Sequence, residues 1–219
     1  MTRAEPGAAR TAGRLRTRGF APRVAPLLAI RPLPQPEPDL AGVAALAFTS
    51  ANGVAAFAAL TARRRLPVFA VGDATADAAR TAGWREVASA AGAIGDLARL
   101  LAERAPGPVL APGAAEPAGD LPDLLAGQVE VRRLAVYESV ETGAAPPDAW
   151  EAVLIHSPRA GRALTATLGP GGGGGRRAVA ISEAAGAPLA GCAFADLRVA
   201  ARPTEAALLE ALGNPDDDV

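Results

Sequence analysis

The stretch Ala47-Phe48-Thr49-Ser50-Ala51-Asn52-Gly53-Val54 decides the fold, because Leu154-Ile155-His156-Ser157-Pro158-Arg159-Ala160-Gly161 resembles it 107 residues later. Each stretch is an apolar run that reaches a serine and continues into a helical pattern. A serine in that place can cap the helix that follows a strand. The two stretches therefore look like copies of one strand–turn–helix unit.

Three further pairs of segments repeat in the same order. Val68–Ala74 resembles Ala178–Ala184, Glu86–Ala88 with the helix after it resembles Arg198–Ala200 with the helix after it, and Leu15–Leu28 resembles Leu125–Tyr137. The offsets all lie between 107 and 112. Four weak matches in one order predict two similar halves.

Predicted strands and helices alternate along the whole chain, which indicates parallel sheets covered by helices. We predict an α/β fold of two similar parallel-sheet domains, joined by two extended crossings, with a cleft between them. Strands are predicted near 23–30, 43–49, 68–71, 85–88, 108–111, 130–137, 152–156, 178–181 and 197–200. Helices are predicted near 7–18, 53–63, 74–82, 93–104, 118–126, 159–168, 183–190 and 204–212.

Proline-rich segments divide the chain. Alternate prolines between Arg31 and Pro38 forbid a helix, and Ser139–Asp148, with Pro146-Pro147, forms a second break. We therefore expect a discontinuous first domain from 1–30 and 149–212, a second domain from 39–138, and linkers at 31–38 and 139–148. The end of the chain, 213–219, is predicted to be disordered, and five consecutive glycines, Gly171–Gly175, predict a flexible surface loop.

Composition excludes several function classes. The 219 residues include 22 basic ones, all arginine, and 23 acidic ones, so there is no basic excess of the kind that nucleic-acid binding needs. One cysteine, Cys192, and one histidine, His156, exclude an intrachain disulfide and a Cys- or His-rich metal centre. We expect a cytoplasmic protein without metal or cofactor.

One uncharged stretch, Leu40–Ala62, has 23 residues and is long enough to span a bilayer. Its centre, Thr49–Gly53, is polar. We therefore interpret the stretch as a buried strand, a polar turn and a helix, and expect no membrane association.

Ligands of parallel α/β sheets bind at the carboxyl ends of the strands. Here those ends carry small or hydroxyl residues that open helices, whose free N–H groups suit anions. They are Thr49–Asn52, Gly72–Thr75, Pro112-Gly113, Tyr137, Ser157–Arg159 and Ser182-Glu183. Taken singly, each serine or threonine is better explained as a plain helix cap, and His156, inside an apolar strand, is predicted to be structural. Together the turns favour a polyanionic ligand.

Several of these segments resemble the uroporphyrinogen-III synthase family, from residue 2 to about 212. They are Phe48–Val54, Phe69–Thr75, Val136-Tyr137, Ser157–Arg159, Ala201–Glu205, and Thr2-Arg3 with Glu5-Pro6. The resemblance implies a cofactor-free enzyme that cyclises hydroxymethylbilane, a linear tetrapyrrole with eight carboxylates, to uroporphyrinogen III. The reaction inverts the last pyrrole ring through a spiro intermediate and releases water.

The resemblance also implies roles for individual residues. Tyr137 is the candidate to protonate the departing hydroxyl, and Thr75 is a polar contact. The residues assigned to carboxylate binding are Ser50, Ala51, Asn52, Ser157, Pro158, Arg159 and Ser182. We expect a monomer whose partner is this small molecule.

Two alternatives remain open on the sequence. One is a non-enzymatic bilobal anion-binding protein, which would share the turns but need no proton donor. The other is an inactive truncated paralogue, because in the family an apolar strand precedes the Thr2-Arg3 pair, and this sequence begins at Met1.

Overall fold

A computed structural model describes residues 2–5, 7–117 and 119–215. The chain forms two compact units: a first unit from Met1–Ala29 and Val140–Val219, and a second unit from Ile30–Ser139. In chain order the elements are α1 Gly7–Thr17, β1 Leu28–Pro32, β2 Ala45–Phe48, α2 Ala51–Leu60, β3 Val68–Ala70, α3 Asp73–Thr81, β4 Val87–Ser89, α4 Ile94–Arg104, β5 Val109–Ala114, α5 Leu121–Leu124, β6 Val131–Glu141, β7 Ala152–Ile155, α6 Pro158–Leu168, β8 Arg177–Ala180, α7 Glu183–Gly186, a 3₁₀ helix Ala187–Cys192, β9 Asp196–Val199 and α8 Glu205–Leu212.

The sheet of the second unit has the strand order β1-β6-β5-β2-β3-β4. Its pairs β2–β3, β2–β5, β3–β4 and β5–β6 are parallel. Strand β2 lies at the centre, with Leu46 opposite Val68 on one side and Leu110 on the other. All four of its residues are buried, because a central parallel strand is covered by helices on both faces.

The first unit contains a smaller parallel sheet with the order β7-β8-β9. Helices α6 and α7 begin three residues after the ends of β7 and β8, and α8 begins six residues after the end of β9. Ile155 and Leu164 pack in one apolar cluster of this unit, and Val179 and Leu208 pack in another. The alternation of strands and helices confirms the predicted α/β class with parallel sheets.

Aromatic side chains form the core of the second unit around α2. Phe57 lies 5.9 Å from Phe48 and 6.3 Å from Trp84, measured between ring centroids. The Arg64 guanidinium lies 4.2 Å from the Trp84 ring centroid. All three rings are at most 2% exposed, so this cluster fixes α2 against the sheet.

Several predicted elements begin or end elsewhere. The strand predicted at 23–30 starts only at Leu28, because Pro26 cannot donate to a sheet. The helix predicted at 118–126 is the short α5, and the helix predicted at 183–190 changes to 3₁₀ geometry at Ala187, next to Pro188. The unit boundaries fall inside β1 and β6, so residues 31–32 and 139–141 of the predicted linkers are strand.

The glycine run Gly171–Gly175 forms a turn that packs against the chain. The Gly173 N–H donates to the Cys192 carbonyl oxygen at 2.7 Å, and a Cβ at Gly173 would lie 2.8 Å from that oxygen. Gly173 is therefore buried, and the prediction of a flexible surface loop was wrong at this residue. Of the predicted tail, 213–215 follow α8 directly, and 216–219 lie outside the described residues.

Candidate functional site

The turn between β2 and α2 presents Ser50, Ala51 and Asn52. Ser50 has extended backbone, and its Oγ accepts a hydrogen bond from the Gly53 N–H at 3.0 Å, so it caps α2. A Cβ at Gly53 would lie 2.9 Å from the Pro112 carbonyl oxygen. Glycine at this place therefore lets the first turn of α2 approach the end of β5.

Tyr137 on β6 lies beside this turn. Its hydroxyl is 3.0 Å from the Ser50 Oγ, and either oxygen can be the donor. The side chain is buried, with 8% of the residue exposed. Two predicted site residues that are 87 positions apart in the chain are thus joined by a hydrogen bond.

A β-bulge sets the direction of Tyr137. Along the β5–β6 pair, Gly113 lies opposite Ala135, but Ala114 lies opposite Tyr137, so Val136 is the additional residue. Consecutive strand residues normally point to opposite faces, yet Val136 and Tyr137 both pack in the same core cluster. The bulge therefore turns the phenol towards α2.

The turn that opens α3 holds Thr75. The cap of this helix is Gly72, which has no side chain to accept a hydrogen bond, and Thr75 is 6% exposed. Beside it, the Asp73 carboxylate accepts a hydrogen bond from the Ser89 hydroxyl at 2.7 Å. Thr75 is thus a buried hydroxyl residue in the first turn of a helix.

In the first unit, the predicted residues open α6 and α7. The Ser157 Oγ accepts from the Ala160 N–H at 3.2 Å, and the Ser182 Oγ accepts from the Ala185 N–H at 3.3 Å. Pro158 is the first residue of α6, and Arg159, half-buried, follows it. Both serines are therefore helix caps whose hydroxyl protons stay available for another acceptor.

A charged cluster in the first unit was not predicted. The Arg3 Nη1 donates to the Glu205 Oε2 at 3.0 Å, and the Thr11 hydroxyl donates to the Glu205 Oε1. The His156 Nε2 lies 3.5 Å from the Glu205 Oε2, and neither ring nitrogen has a hydrogen-bond partner among the described residues. Arg3 and Glu205 lie 202 positions apart, so no local pattern signals their pairing; their only sequence signal is that both lie in segments that resemble the family.

The environment fixes the charges of this cluster. Burial by itself raises the pKa of Glu205, but the His156 ring, the Thr11 hydroxyl and the Arg3 charge together lower that pKa to about 2. Burial is also the main reason why the pKa of His156 is lowered, and Arg3 adds to it. At neutral pH the cluster therefore combines an ionised carboxylate and guanidinium with a neutral imidazole.

These shifts predict that the free energy of unfolding falls in two steps on acidification. The unfolded chain takes up a proton on His156 near pH 6.5 and the folded chain does so only at lower pH, so stability is lost below about pH 6.5. The Glu205 contribution is lost between its ordinary pKa of 4.5 and about 2. Urea unfolding at pH 7.5 and pH 5.5 measures the first step.

His156→Gln is the control for this prediction. Because His156 is the only histidine of the chain, the variant should lose little stability between pH 7.5 and pH 5.5. Equal losses in the parent and the variant would contradict the assignment of the first step to this ring.

A cavity of about 860 Å³ lies along β7 in the first unit. Thr2, Trp150, Val153 and Leu154 are among its lining residues. None of the predicted site residues lines this cavity. The cavity is therefore no evidence that those residues bind a ligand.

The described residues were also searched for metal-binding groups and for membrane-spanning helices. Among them, no group of three or more His, Cys, Asp or Glu side chains is placed to hold a metal ion. Within the same part of the chain, every helix is too short or too polar to cross a membrane. The stretch 40–62, which is long enough to span a bilayer, folds as β2, the Ser50 turn and α2.

Comparisons with known proteins give one family. The model of the family described as uroporphyrinogen-III synthase HemD matches residues 9–210. A crystal structure of uroporphyrinogen-III synthetase from Helicobacter pylori 26695 is similar, with 20% identity and a TM-score of 0.66 over 87% of this chain and 94% of that chain. A mutant synthase from the extremely thermophilic bacterium Thermus thermophilus matches with 16% identity and a TM-score of 0.49 over 96% and 97% of the two chains. No curated protein sequence matches.

Proposed function

Since this chain belongs to the uroporphyrinogen-III synthase family, we propose that Tyr137 and Ser50 together deliver the proton that its reaction requires. The enzyme closes hydroxymethylbilane to uroporphyrinogen III in tetrapyrrole biosynthesis. Family membership thus favours an enzyme over the non-enzymatic anion-binding protein. Turnover of hydroxymethylbilane distinguishes the enzyme from the inactive paralogue, which would match the same family. The hydrogen bond between the Ser50 Oγ and the Tyr137 hydroxyl is the observation that supports the proposal.

The hydrogen bonds of Ser50 suggest the direction of the proton. Its Oγ already accepts from the Gly53 N–H, so its own proton can be donated to the Tyr137 oxygen. The phenol proton of Tyr137 is then left for the substrate. The same Ser50 donor stabilises the negative charge that develops on the phenol oxygen when that proton leaves.

The proposed step balances protons and electrons. The C–O bond of the terminal hydroxymethyl group breaks with its electron pair on oxygen, the pyrrole nitrogen supplies electron density to the carbon, and the Tyr137 proton converts the leaving hydroxide to water. The first carbon–carbon bond forms at the substituted carbon of the last pyrrole ring and gives the spiro intermediate. The bond between this carbon and the neighbouring methylene then breaks, and the methylene bonds to the unsubstituted carbon of the same pyrrole, which inverts that ring and closes the macrocycle. The proton that this unsubstituted carbon loses returns to the Tyr137 oxygen, which restores the phenol for the next turnover.

Binding of the carboxylates is assigned to the residues that open the helices. In the second unit these are Ser50, Ala51 and Asn52, with Thr75 as a polar contact; in the first unit they are Ser157, Pro158, Arg159 and Ser182. The capping geometry of Ser157 and Ser182 supports this, because each of these helix starts combines backbone N–H groups with a hydroxyl donor. At Ser50, whose proton goes to Tyr137, the backbone N–H groups at the start of α2 are the donors. Arg159 adds a positive charge to one of these helix starts.

Arg159→Ala is expected to raise KM for hydroxymethylbilane by roughly tenfold and to change kcat less. One charge-assisted hydrogen bond to a substrate carboxylate accounts for an effect of that size. The rise in KM should shrink as salt is added, because salt screens this attraction. Steady-state assays at two ionic strengths measure both effects.

Arg162→Ala is the matched control, because Arg162 is an exposed arginine one turn further along α6. It should leave KM within about twofold of the parent value. An unchanged KM in Arg159→Ala, or equal effects in the two variants, would remove Arg159 from the binding role.

We further propose that the enzyme acts as a cytoplasmic monomer without a cofactor. The single cysteine, Cys192, is buried and forms no disulfide, as is usual in a reducing compartment. Protonation and the binding of anionic groups, the two tasks assigned above, use side chains and backbone N–H groups alone.

A further inference from the structure

We propose that Arg3 is a further substrate-binding residue of this enzyme, which holds one carboxylate of hydroxymethylbilane, and that Glu205 is the positioning residue that fixes its guanidinium. The inference rests on the proposed function only in taking a polycarboxylate as the substrate. It assigns a role to a charged cluster that the proposed proton transfer does not use.

Arg3 lies at the carboxyl edge of the sheet in the first unit. The Thr2 hydroxyl donates to the Leu154 carbonyl oxygen at 2.7 Å, near the end of β7, and Arg3 follows Thr2. Its partners come from the same edge: His156 directly follows β7, and Glu205 begins α8 after β9. Ser157 and Ser182 open helices at this edge too, and ligands of parallel α/β sheets bind there.

Among the described residues, the hydrogen bonds of the Arg3 guanidinium involve only its Nη1. Its Nη1 donates to the Glu205 Oε2 at 3.0 Å and lies 3.5 Å from the Thr11 hydroxyl. Thr11 donates to the other oxygen of Glu205, so the carboxylate is itself fixed. A guanidinium has five N–H donors in a rigid fork, and one carboxylate therefore leaves donors for a second.

Exposure and charge fit a binding role. The Arg3 side chain is 33% exposed, whereas the Glu205 side chain is 18% exposed and the His156 side chain 7%. The anionic partner of the cluster is thus the more deeply buried one, and the cation has the larger exposed surface. His156 adds no second positive charge at neutral pH, because burial lowers its pKa.

The absence of a side chain at Gly7 leaves the space in which the Arg3 guanidinium lies. A Cβ at Gly7 would lie 2.4 Å from the Arg3 Nε and 2.7 Å from its Nη2. Alanine at this position would therefore displace the tip of the arginine side chain while every charge is kept. Because the atoms in the way belong to the far end of a flexible side chain, α1 itself should be undisturbed.

Two variants test the proposal with hydroxymethylbilane as the probe. Arg3→Gln should raise KM by about 10-fold to 100-fold, the range expected for a lost charge-assisted hydrogen bond, with kcat within about threefold of the parent. Gly7→Ala should raise KM by severalfold, with a melting temperature at or above that of the parent, since alanine favours the helix. A purely structural ion pair would move the melting temperature and leave KM unchanged.

Arg18→Gln is the matched control. The Arg18 Nη1 donates to the Leu209 carbonyl oxygen at 2.8 Å, so the variant also removes one positive charge and one hydrogen bond to α8 in the same unit. Its KM should stay within about twofold of the parent value.

The outcomes separate this inference from the proposed function. If the parent turns over hydroxymethylbilane and both Arg3→Gln and Gly7→Ala keep its KM, the binding role of Arg3 is wrong. If Arg3→Gln does not fold, Gly7→Ala alone decides. A parent that does not convert hydroxymethylbilane would overturn the proposed function, and the role of Arg3 with it.

Discussion

Replacing Tyr137 with phenylalanine should lower kcat by about 10²-fold to 10⁴-fold, the range that a positioned general acid contributes. The ring and its packing stay, and only the hydroxyl that contacts the Ser50 Oγ at 3.0 Å is lost. Loss of one hydrogen bond costs about 1 kcal/mol, so the melting temperature should fall by only a few degrees. Steady-state kinetics and thermal unfolding of the purified variant measure the two quantities separately.

Ser50→Ala and the double variant are the controls for this result. Ser50→Ala keeps the phenol but removes its partner and the cap of α2, so kcat should fall by less than in Tyr137→Phe. In the double variant, kcat should be close to that of Tyr137→Phe alone, because residues that act as a unit are not additive. A Tyr137→Phe variant with the parent kcat would make Tyr137 a packing residue.

Phe57→Ala should be among the most destabilising single substitutions, with a loss of about 3–5 kcal/mol in the free energy of unfolding. Phe57 is fully buried on α2, its ring contacts those of Phe48 and Trp84, and its removal leaves a cavity that the strands behind it cannot fill. Because α2 begins at the Ser50 turn, the second unit should lose the ordered turn together with its stability. Urea unfolding followed by circular dichroism measures the change.

Phe57→Leu and Leu124→Ala are the matched controls for this prediction. Phe57→Leu keeps most of the buried volume and should cost less than about 1.5 kcal/mol. Leu124→Ala removes a side chain of the same unit from a residue that is 47% exposed, and should change stability by no more than about 0.5 kcal/mol. Equal losses in Phe57→Ala and Leu124→Ala would mean that the aromatic cluster does not stabilise this unit.

The repeat made the fold predictable. Apolar runs that end in a serine or a glycine and then open a helix are local signals, and they placed β2, α2, β7 and α6 within a few residues of their observed bounds. The predicted boundaries were wrong next to prolines, at the start of β1 at Leu28 and at the change to 3₁₀ geometry at Ala187. A proline lacks the backbone N–H, which changes the backbone hydrogen bonds without changing the apolar pattern. The packing of Gly173 against the Cys192 carbonyl oxygen has no local signal either.

The candidate site residues could be proposed one by one from the sequence, but their arrangement could not. Ser50 and Tyr137 could be proposed separately, whereas their contact depends on a bulge at Gly113/Ala114 that turns Tyr137 towards α2. A bulge adds one residue to one strand only, and no alternation pattern specifies it. The pairing of Arg3 with Glu205 likewise arises only when α1, β7 and α8 pack together.

The isomer ratio of the product tests the central claim most directly. Spontaneous closure of hydroxymethylbilane gives the isomer without the inverted ring. This spontaneous reaction competes with the enzyme for the same substrate during the assay. With fresh substrate, the parent should yield uroporphyrinogen III, and an equal amount of Tyr137→Phe should yield mainly the uninverted isomer, because its slowed turnover is overtaken by spontaneous closure. Formation of uroporphyrinogen III by Tyr137→Phe at the parent rate would contradict the account, and so would a parent that yields only the uninverted isomer.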